Sequence, residues 1–108
     1  MVLLGVACVG ARAESVKDLP KPTSYVSDFA DVIDAGSKEQ IEQIAGQVYS
    51  KAHATIVVVT VKTLDGETIE DFATALEDKW KVGPKGSDKG VLLLFAVQER
   101  KRRIEVCG

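Results

Sequence analysis

Two acidic side chains stand out in this sequence as groups that could do chemistry. Asp28 lies in the acidic series SDFADVID, residues 27–34, and Asp88 lies in the glycine-rich loop GPKGSDKG, residues 83–90. Carboxylates that converge can bind a hard cation through oxygen or can act as acid–base groups. We therefore predict that both are metal ligands of an acidic cleft, with calcium as the candidate cation. The alternative is that both serve only as turn residues, a role for which Asp is favoured.

Other catalytic chemistries have little support in the residues. His53 is the only histidine, and without a second histidine or a cysteine cluster the sequence predicts neither a zinc site nor a Ser-His-Asp arrangement. The glycine-rich loop follows a predicted helix and precedes a strand, which is the opposite order from a P-loop or a dinucleotide fingerprint. Trp80 continues the apolar stripe of its helix, so we expect it to pack in the core.

The elements that must position Asp28 are visible in the hydrophobic pattern. Ser37, with Gln40 three residues later, forms a capping box that predicts the start of a helix. Its expected core positions are Ile41, Ile44, Ala45, Val48 and Ala52. Residues 54–61, ATIVVVTV, predict a strand covered on both faces in the middle of a sheet. Residues 25–33 show no clean period and predict an irregular segment, with its anchors at Val26, Phe29, Val32 and Ile33.

A second helix and two more strands complete the predicted fold. Thr68 begins the helix, and Gly83 with Pro84 ends it. Its apolar positions are Ile69, Phe72, Ala73, Leu76 and Trp80. Residues 90–97 predict a buried strand reached by a parallel crossover, and residues 102–106 an antiparallel strand near the edge. The predicted class is α/β: a mixed β-sheet with a parallel crossover and a C-terminal antiparallel hairpin, flanked by helices.

Composition limits the chain to one globular domain. It has 108 residues, of which 45% are hydrophobic and 28% charged, and its formal net charge is −2. A mildly acidic chain without a basic block gives no electrostatic reason to expect nucleic acid as a partner.

The N-terminal residues have the pattern of a targeting segment. Residues 1–13, MVLLGVACVGARA, join a short apolar run to a small-x-small cleavage sequence, although no basic residue precedes Arg12. We predict a signal peptide over residues 1–13, a linker over 14–24 and the folded domain over 25–108. The protein is thus expected to be exported, to the periplasm, cell envelope or lumen. The apolar run is too short to span a bilayer, so no transmembrane span is predicted.

The order of these features resembles the TPM domain family. The segment Ser27-Asp28-Phe29-Ala30, the strand IVVV and the helix end Trp80-Lys81-Val82-Gly83 match its pattern. The most specific block is GSDKGVLLLFAVQERKRRIEV, residues 86–106. It is similar to the family's Gly-x-Asp-Asn-Gly-Val-Leu-Leu strand, its acidic-Arg turn and its Arg-Ile-Glu-Val strand. Lys89 departs from the family's Asn, and Cys107-Gly108 stands where members continue with further helices.

The resemblance implies two alternative functions. Members include an acid phosphatase of the thylakoid lumen, photosystem II repair proteins and exported bacterial proteins without assigned activity. One implied function is a binding or assembly module at the cell envelope, with envelope or membrane proteins as partners. The other is a phosphatase-like phosphomonoester hydrolase whose acidic cleft includes Asp28 and Asp88. The resemblance also implies that the domain over residues 25–108 is incomplete at its C-terminus, which would leave one face of the sheet bare.

Overall fold

The chain folds into a four-stranded sheet with one long helix on each face. In the computed structural model, which describes residues 15–82 and 89–107, the strand order is β1-β2-β3-β4. The strands are β1 (Val26–Asp28), β2 (Thr55–Val61), β3 (Gly90–Ala96) and β4 (Lys101–Cys107), and the helices are α1 (Ala35–Ala52) and α2 (Ile69–Trp80). The first three strands are parallel, and β4 pairs antiparallel with β3. The predicted α/β class and mixed sheet are therefore confirmed.

The main core lies between the sheet and α2. Thr68 is the N-cap of α2, and its hydroxyl accepts a hydrogen bond from the Asp71 N–H at 3.1 Å. All five predicted core positions of this helix are buried, and Trp80 is only 2% exposed. They pack against alternate residues of the two central strands, which are Val57, Val59, Val61, Leu92, Leu94 and Ala96. The strong apolar stripe of α2 thus predicted its packing correctly.

Helix α1 differs from the prediction at its start and on its buried face. Its N-cap is Asp34, whose carboxylate accepts from the Ser37 N–H at 2.7 Å, so Ser37 lies inside the first turn instead of capping it. An acidic N-cap competes well with Ser, which explains the error. Of the expected core positions only Ala45 is buried, and Ile44 is 59% exposed. Helix α1 is therefore only lightly packed.

The segment over residues 25–33 begins as a strand rather than as irregular chain. Parallel pairing of β1 with β2 sets Val26 opposite Val58 and Asp28 opposite Thr60. Phe29 packs against the core as expected, whereas Val32 is exposed and does not anchor the loop. The strand is only three residues long, so a period-2 pattern has no room to show itself in the sequence.

Strand β3 is buried on one face only. Leu92, Leu94 and Ala96 are buried towards α2, while Phe95 is exposed on the other face. We predicted a buried strand from the continuous apolar run of residues 90–97, and burial on one face only corrects that prediction, whereas the predicted cover of β2 on both faces holds for most of its residues. The difference arises because α1 packs over β1 and β2 but not over β3.

The residues before β1 are tied to the core side of the sheet. Leu19 is buried in the core, and a short 3-10 turn at Val16–Asp18 contacts α2. The Lys79 ammonium donates to the carbonyl oxygens of Val16, Lys17 and Leu19 at 2.9, 2.9 and 2.8 Å. Three acceptors around one ammonium fix this segment on α2. Within the described parts of the chain, neither long helix has the length and apolar character needed to cross a bilayer.

Candidate functional site

The Asp28 carboxylate is the centre of a hydrogen-bond network at the end of β1. Its Oδ1 accepts from the Val32 N–H at 3.1 Å, and its Oδ2 accepts from the Ile33 N–H at 3.0 Å. The Thr60 hydroxyl donates to Oδ1 at 2.6 Å, and Thr60 Oγ1 accepts from the Ala30 N–H at 3.0 Å. The side chain of Asp28 therefore folds the loop after β1 back onto the neighbouring strand.

A lysine completes the surroundings of this carboxylate. Lys38 Nζ lies 3.6 Å from Asp28 Oδ2, and the Asp28 side chain is only 3% exposed. Burial raises the pKa of this carboxyl group, but the hydrogen bonds from Thr60 and from two backbone N–H groups, together with the Lys38 charge, outweigh it. The pKa of Asp28 consequently lies below its ordinary value of 3.8.

The lowered pKa of three carboxyl groups predicts loss of stability in acid. The pKa values of Asp28, Asp34 and Glu99 all lie below their ordinary values. Because these pKa values are lower in the folded state, the unfolded chain takes up protons at a higher pH than the folded chain. The three carboxylates therefore stabilise the folded state fully at pH values above their ordinary pKa values of 3.8 and 4.5. It is lost as the pH falls through the lower, folded values. We expect the urea midpoint to stay level from about pH 7 to about pH 5 and then to fall. A midpoint that rises on acidification would contradict this assignment.

The network restricts what Asp28 can offer a cation. Its oxygens already accept three hydrogen bonds and face an ammonium group, so a metal would have to displace some of these donors. Within residues 15–82 and 89–107, no three His, Cys, Asp or Glu side chains form a group that could hold a metal ion. The other predicted ligand, Asp88, lies outside the described residues, and the calcium cleft remains a prediction.

The register of the strands sets how far Asp28 lies from the start of β3. Gly90, the first residue of β3, pairs with Thr55, whereas Asp28 pairs with Thr60. Five residues of β2 separate these two levels, which is about 17 Å along the strand. Asp28 thus lies at the carboxyl ends of the parallel strands, and the described start of β3 lies at their amino ends.

Glu99 is a second structural carboxylate, and sequence reasoning missed it. In the turn between β3 and β4, its Oε2 accepts from the Thr63 hydroxyl at 2.9 Å and from the Leu64 N–H at 3.0 Å. Its Oε1 is buried without a hydrogen-bond partner. The Leu64 N–H is the main cause of its lowered pKa. The signal in the sequence was the acidic residue of the turn between the last two predicted strands, residues 98–101.

Strand β4 turns its apolar side chains away from the core. Ile104 is 63% exposed and Val106 is 75% exposed. Arg103 and Glu105, which alternate with them, face the α2 side and form an ion pair of 3.2 Å. A strand at the edge of a sheet normally directs its apolar residues to the core and its charges to water. In β4 this arrangement is reversed, so the face of the strand that carries Ile104 and Val106 is suited to burial against another surface.

The exposed residues of β4 continue an apolar surface on β3. Directly paired residues of antiparallel strands point to the same side, and the pairs are Leu93 with Ile104 and Val91 with Val106. Together with Phe95 these residues form what we call the β3–β4 strip. It comprises Val91, Leu93, Phe95, Ile104 and Val106.

Two residues of the β3–β4 strip, Leu93 and Phe95, line a groove beside α1. A groove of about 290 Å³ runs between the helix and the sheet, and its lining is almost wholly apolar. Its helix wall is formed by Ile41, Ile44 and Ala45, and its floor by Ile56, Val58, Leu93 and Phe95. The wall explains the exposure of Ile44, which faces the groove instead of a packed neighbour. On this face the sheet is open only over the half that α1 leaves uncovered.

Comparison with known proteins places this fold in a family. The TPM domain family model matches residues 26–108. The solution NMR structure of the N-terminal domain of a protein from P. gingivalis is similar, with 25% sequence identity and a TM-score of 0.79. The match covers 89% of this chain and 64% of that domain, so the chain spans less than two thirds of the length of its structural neighbour. No curated protein matches the chain. The family match over most of the residues shows that this chain belongs to the TPM domain family.

Proposed function

We propose that this TPM domain is a binding module that recognises another polypeptide through the β3–β4 strip. One observation carries the proposal: β4 directs Ile104 and Val106 outward and keeps Arg103 and Glu105 on the α2 side. Complete burial of one such apolar side chain contributes about 1.5 to 3 kcal/mol. Contiguous apolar surface of this kind, next to a groove, is typical of protein interaction sites.

Phosphomonoester hydrolysis ranks second. The family resemblance suggests it, but the contacts of Asp28 are those of a structural anchor. Its two oxygens are held by loop N–H groups and the Thr60 hydroxyl, and its pKa is lowered. A general acid at neutral pH needs a raised pKa instead. The described geometry around Asp28 therefore fits an anchor of the loop better than a general acid.

We further propose that the module works after export, with envelope or membrane proteins as partners. The support is the signal-like pattern of residues 1–13 with its small-x-small end. Cleavage at that point would leave a mature chain beginning at Glu14, and the mass of the protein recovered from the cell envelope would reveal it. Recovery of the uncut chain from the cytoplasm would overturn this part of the proposal.

Site-specific photocrosslinking in the source cell tests the binding function. A photoreactive amino acid at position 106, in the strip, is compared with one at position 78, which is exposed on α2. We expect a crosslinked product of defined mass from position 106 and none from position 78. The product should vanish when Ile104→Thr removes apolar surface from a folded chain, since Thr suits a strand as well as Ile does. The same products from both positions, or none from 106, would refute the proposal.

A further inference from the structure

We infer that this chain forms a symmetric dimer in which the outer edge of β4 pairs antiparallel with β4 of a second copy. The inference goes beyond the proposed binding function and does not depend on it. It concerns the backbone N–H and C=O groups at the edge of the sheet, whereas the binding function concerns the open face. Two features of β4 support it: the regular geometry of its edge and the alternation of its charges.

Strand β4 ends the sheet with an outer edge. In the order β1-β2-β3-β4, no described segment lies beyond β4, so its outward backbone groups have no neighbouring strand among the described residues. The strand is seven residues long, pairs with β3 at every residue and contains neither Pro nor Gly. Prolines, bulges and very short strands are the usual backbone features that prevent pairing at an edge. Since β4 has none of them, its edge is able to accept another strand.

The edge and the open face of the sheet bind different kinds of element. The resemblance to the TPM family implies further helices after residue 106, and helices keep their N–H and C=O groups in hydrogen bonds of their own. Such a helix could cover the open face, but it could not pair with the edge of β4. A partner of the edge is therefore an extended strand, whatever covers the face beside it.

The charges of β4 restrict which strand can pair with it. Arg103 and Glu105 point to the α2 side and form an ion pair of 3.2 Å with each other. Like charges directly opposite either residue would repel it, and charged side chains that point inward protect an edge from unrelated strands. A copy of β4 carries one positive and one negative charge in the same alternation. It can therefore offer each of the two residues its opposite.

One symmetric register meets this requirement along the whole strand. Directly opposed residues of antiparallel strands point to the same side, so two copies related by a twofold axis place one residue opposite its own copy. With Ile104 on the axis, Arg103 of each copy lies opposite Glu105 of the other, and all seven residues are paired. An axis at Arg102, Arg103 or Glu105 would oppose like charges. An axis at either end of β4 would pair only the end of the strand.

This register also joins the apolar surfaces of the two copies. On the strip face, Ile104 lies beside its own copy, and Val106 lies beside the partner's Arg102. The aliphatic part of an arginine side chain can cover an apolar neighbour while its guanidinium stays in water. The two β3–β4 strips thus become neighbours on one side of a continuous eight-stranded sheet, four strands from each copy.

Mixing two charge variants tests the inference. Sedimentation velocity of the full chain at increasing concentration should show a dimer. Arg103→Glu and Glu105→Arg should each weaken it about tenfold, because both cross-strand pairs then join like charges. A mixture of the two variants should dimerise as tightly as the native chain. In the mixed dimer one cross-strand pair consists of the two native residues and the other of the two replaced ones, so both join opposite charges.

The mixture separates pairing between copies from a role within one strand. Neither variant has an attractive pair within its own β4, so a purely structural role of that pair would not restore association on mixing. Glu39→Arg, at an exposed position of α1, makes the same change in net charge as Glu105→Arg and should leave the dissociation constant unchanged. Isotope-filtered NMR of labelled and unlabelled chains should show contacts between Ile104 of one copy and Ile104 of the other.

Three results would overturn the inference. The first is a monomer at every concentration, and the second is a dimer that ignores both charge reversals. The third is slow amide exchange along the outer edge of β4 in a monomer, which would show that another part of the chain pairs there. The binding function would survive all three, because the photocrosslinking experiment tests it separately. A product from position 106 with twice the mass of the chain reports the dimer, and a product of another mass reports a different partner.

Discussion

Replacing Leu94 by alanine is expected to lower the free energy of unfolding by about 3 kcal/mol. The side chain is fully buried between β3 and α2, where it belongs to the core that includes Phe72 and Leu76. Truncation removes buried apolar atoms and leaves a cavity, because the strand and the helix around it are held by many other contacts. Urea unfolding followed by circular dichroism measures the loss.

Ile104→Ala is the matched control for this prediction. It also replaces a branched four-carbon side chain by a methyl group, but Ile104 is on the open face of β4. We expect a loss below about 1 kcal/mol, most of it from the lower strand preference of Ala. The difference between the two losses of unfolding free energy measures how much more tightly the α2 face of the sheet is packed than the opposite face. Equal losses would show that the β3–β4 strip is already covered in solution and would contradict our description of that face.

A chain with Asp28→Asn is expected to lose about 2 kcal/mol of stability. Asn has almost the same shape as Asp, but one of its two polar atoms is an NH₂ donor. Each Asp28 oxygen accepts a backbone N–H, from Val32 or from Ile33, so either orientation of the amide sets a donor against a donor. The pairing with the Lys38 charge is lost as well. The urea midpoint at neutral pH measures the effect, which should shrink in acid, where the carboxylate itself becomes protonated.

Asp31→Asn provides the comparison for Asp28→Asn. Asp31 is exposed and adopts a left-handed conformation with φ 57°, which Asn tolerates as well as Asp. The same chemical change three residues further on should therefore alter the urea midpoint very little. If both variants unfolded alike, the carboxylate of Asp28 would not be the anchor of the loop, and its lowered pKa would need another cause.

Long periodic segments were predictable from the sequence, and short or one-sided ones were not. Helix α2 has a Thr N-cap and five apolar residues at helical spacing, so both its start and its buried face were predicted correctly. In α1 the choice between Asp34 and Ser37 as N-cap could not be made from residue types, because both cap well. The β3 run GVLLLFA is apolar at every position, and such a run cannot reveal which face a neighbouring helix will cover.

The candidate site was less predictable than the fold. Asp28 was identified, but its role as an anchor depends on Thr60, which is distant in sequence and is brought close only by the β1–β2 pairing. In β4, Ile104 and Val106 alternate with Arg103 and Glu105. The sequence does not say which set of an alternating strand faces the core, since that depends on the position of α2. Tertiary packing therefore decides both the role of Asp28 and the side of the sheet to which Ile104 and Val106 point.

The attachment of the N-terminal segment by Lys79 has a consequence for how the domain is presented. Because the ammonium group and the buried Leu19 fix this segment on α2, the described chain enters the domain at one set place. That place is on the far side of the sheet from Ile104 and Val106. If the protein is held through its N-terminal segment, the side of the sheet that carries α2 therefore faces the point of attachment. The apolar surface would point outward, accessible to a protein that approaches from the opposite direction.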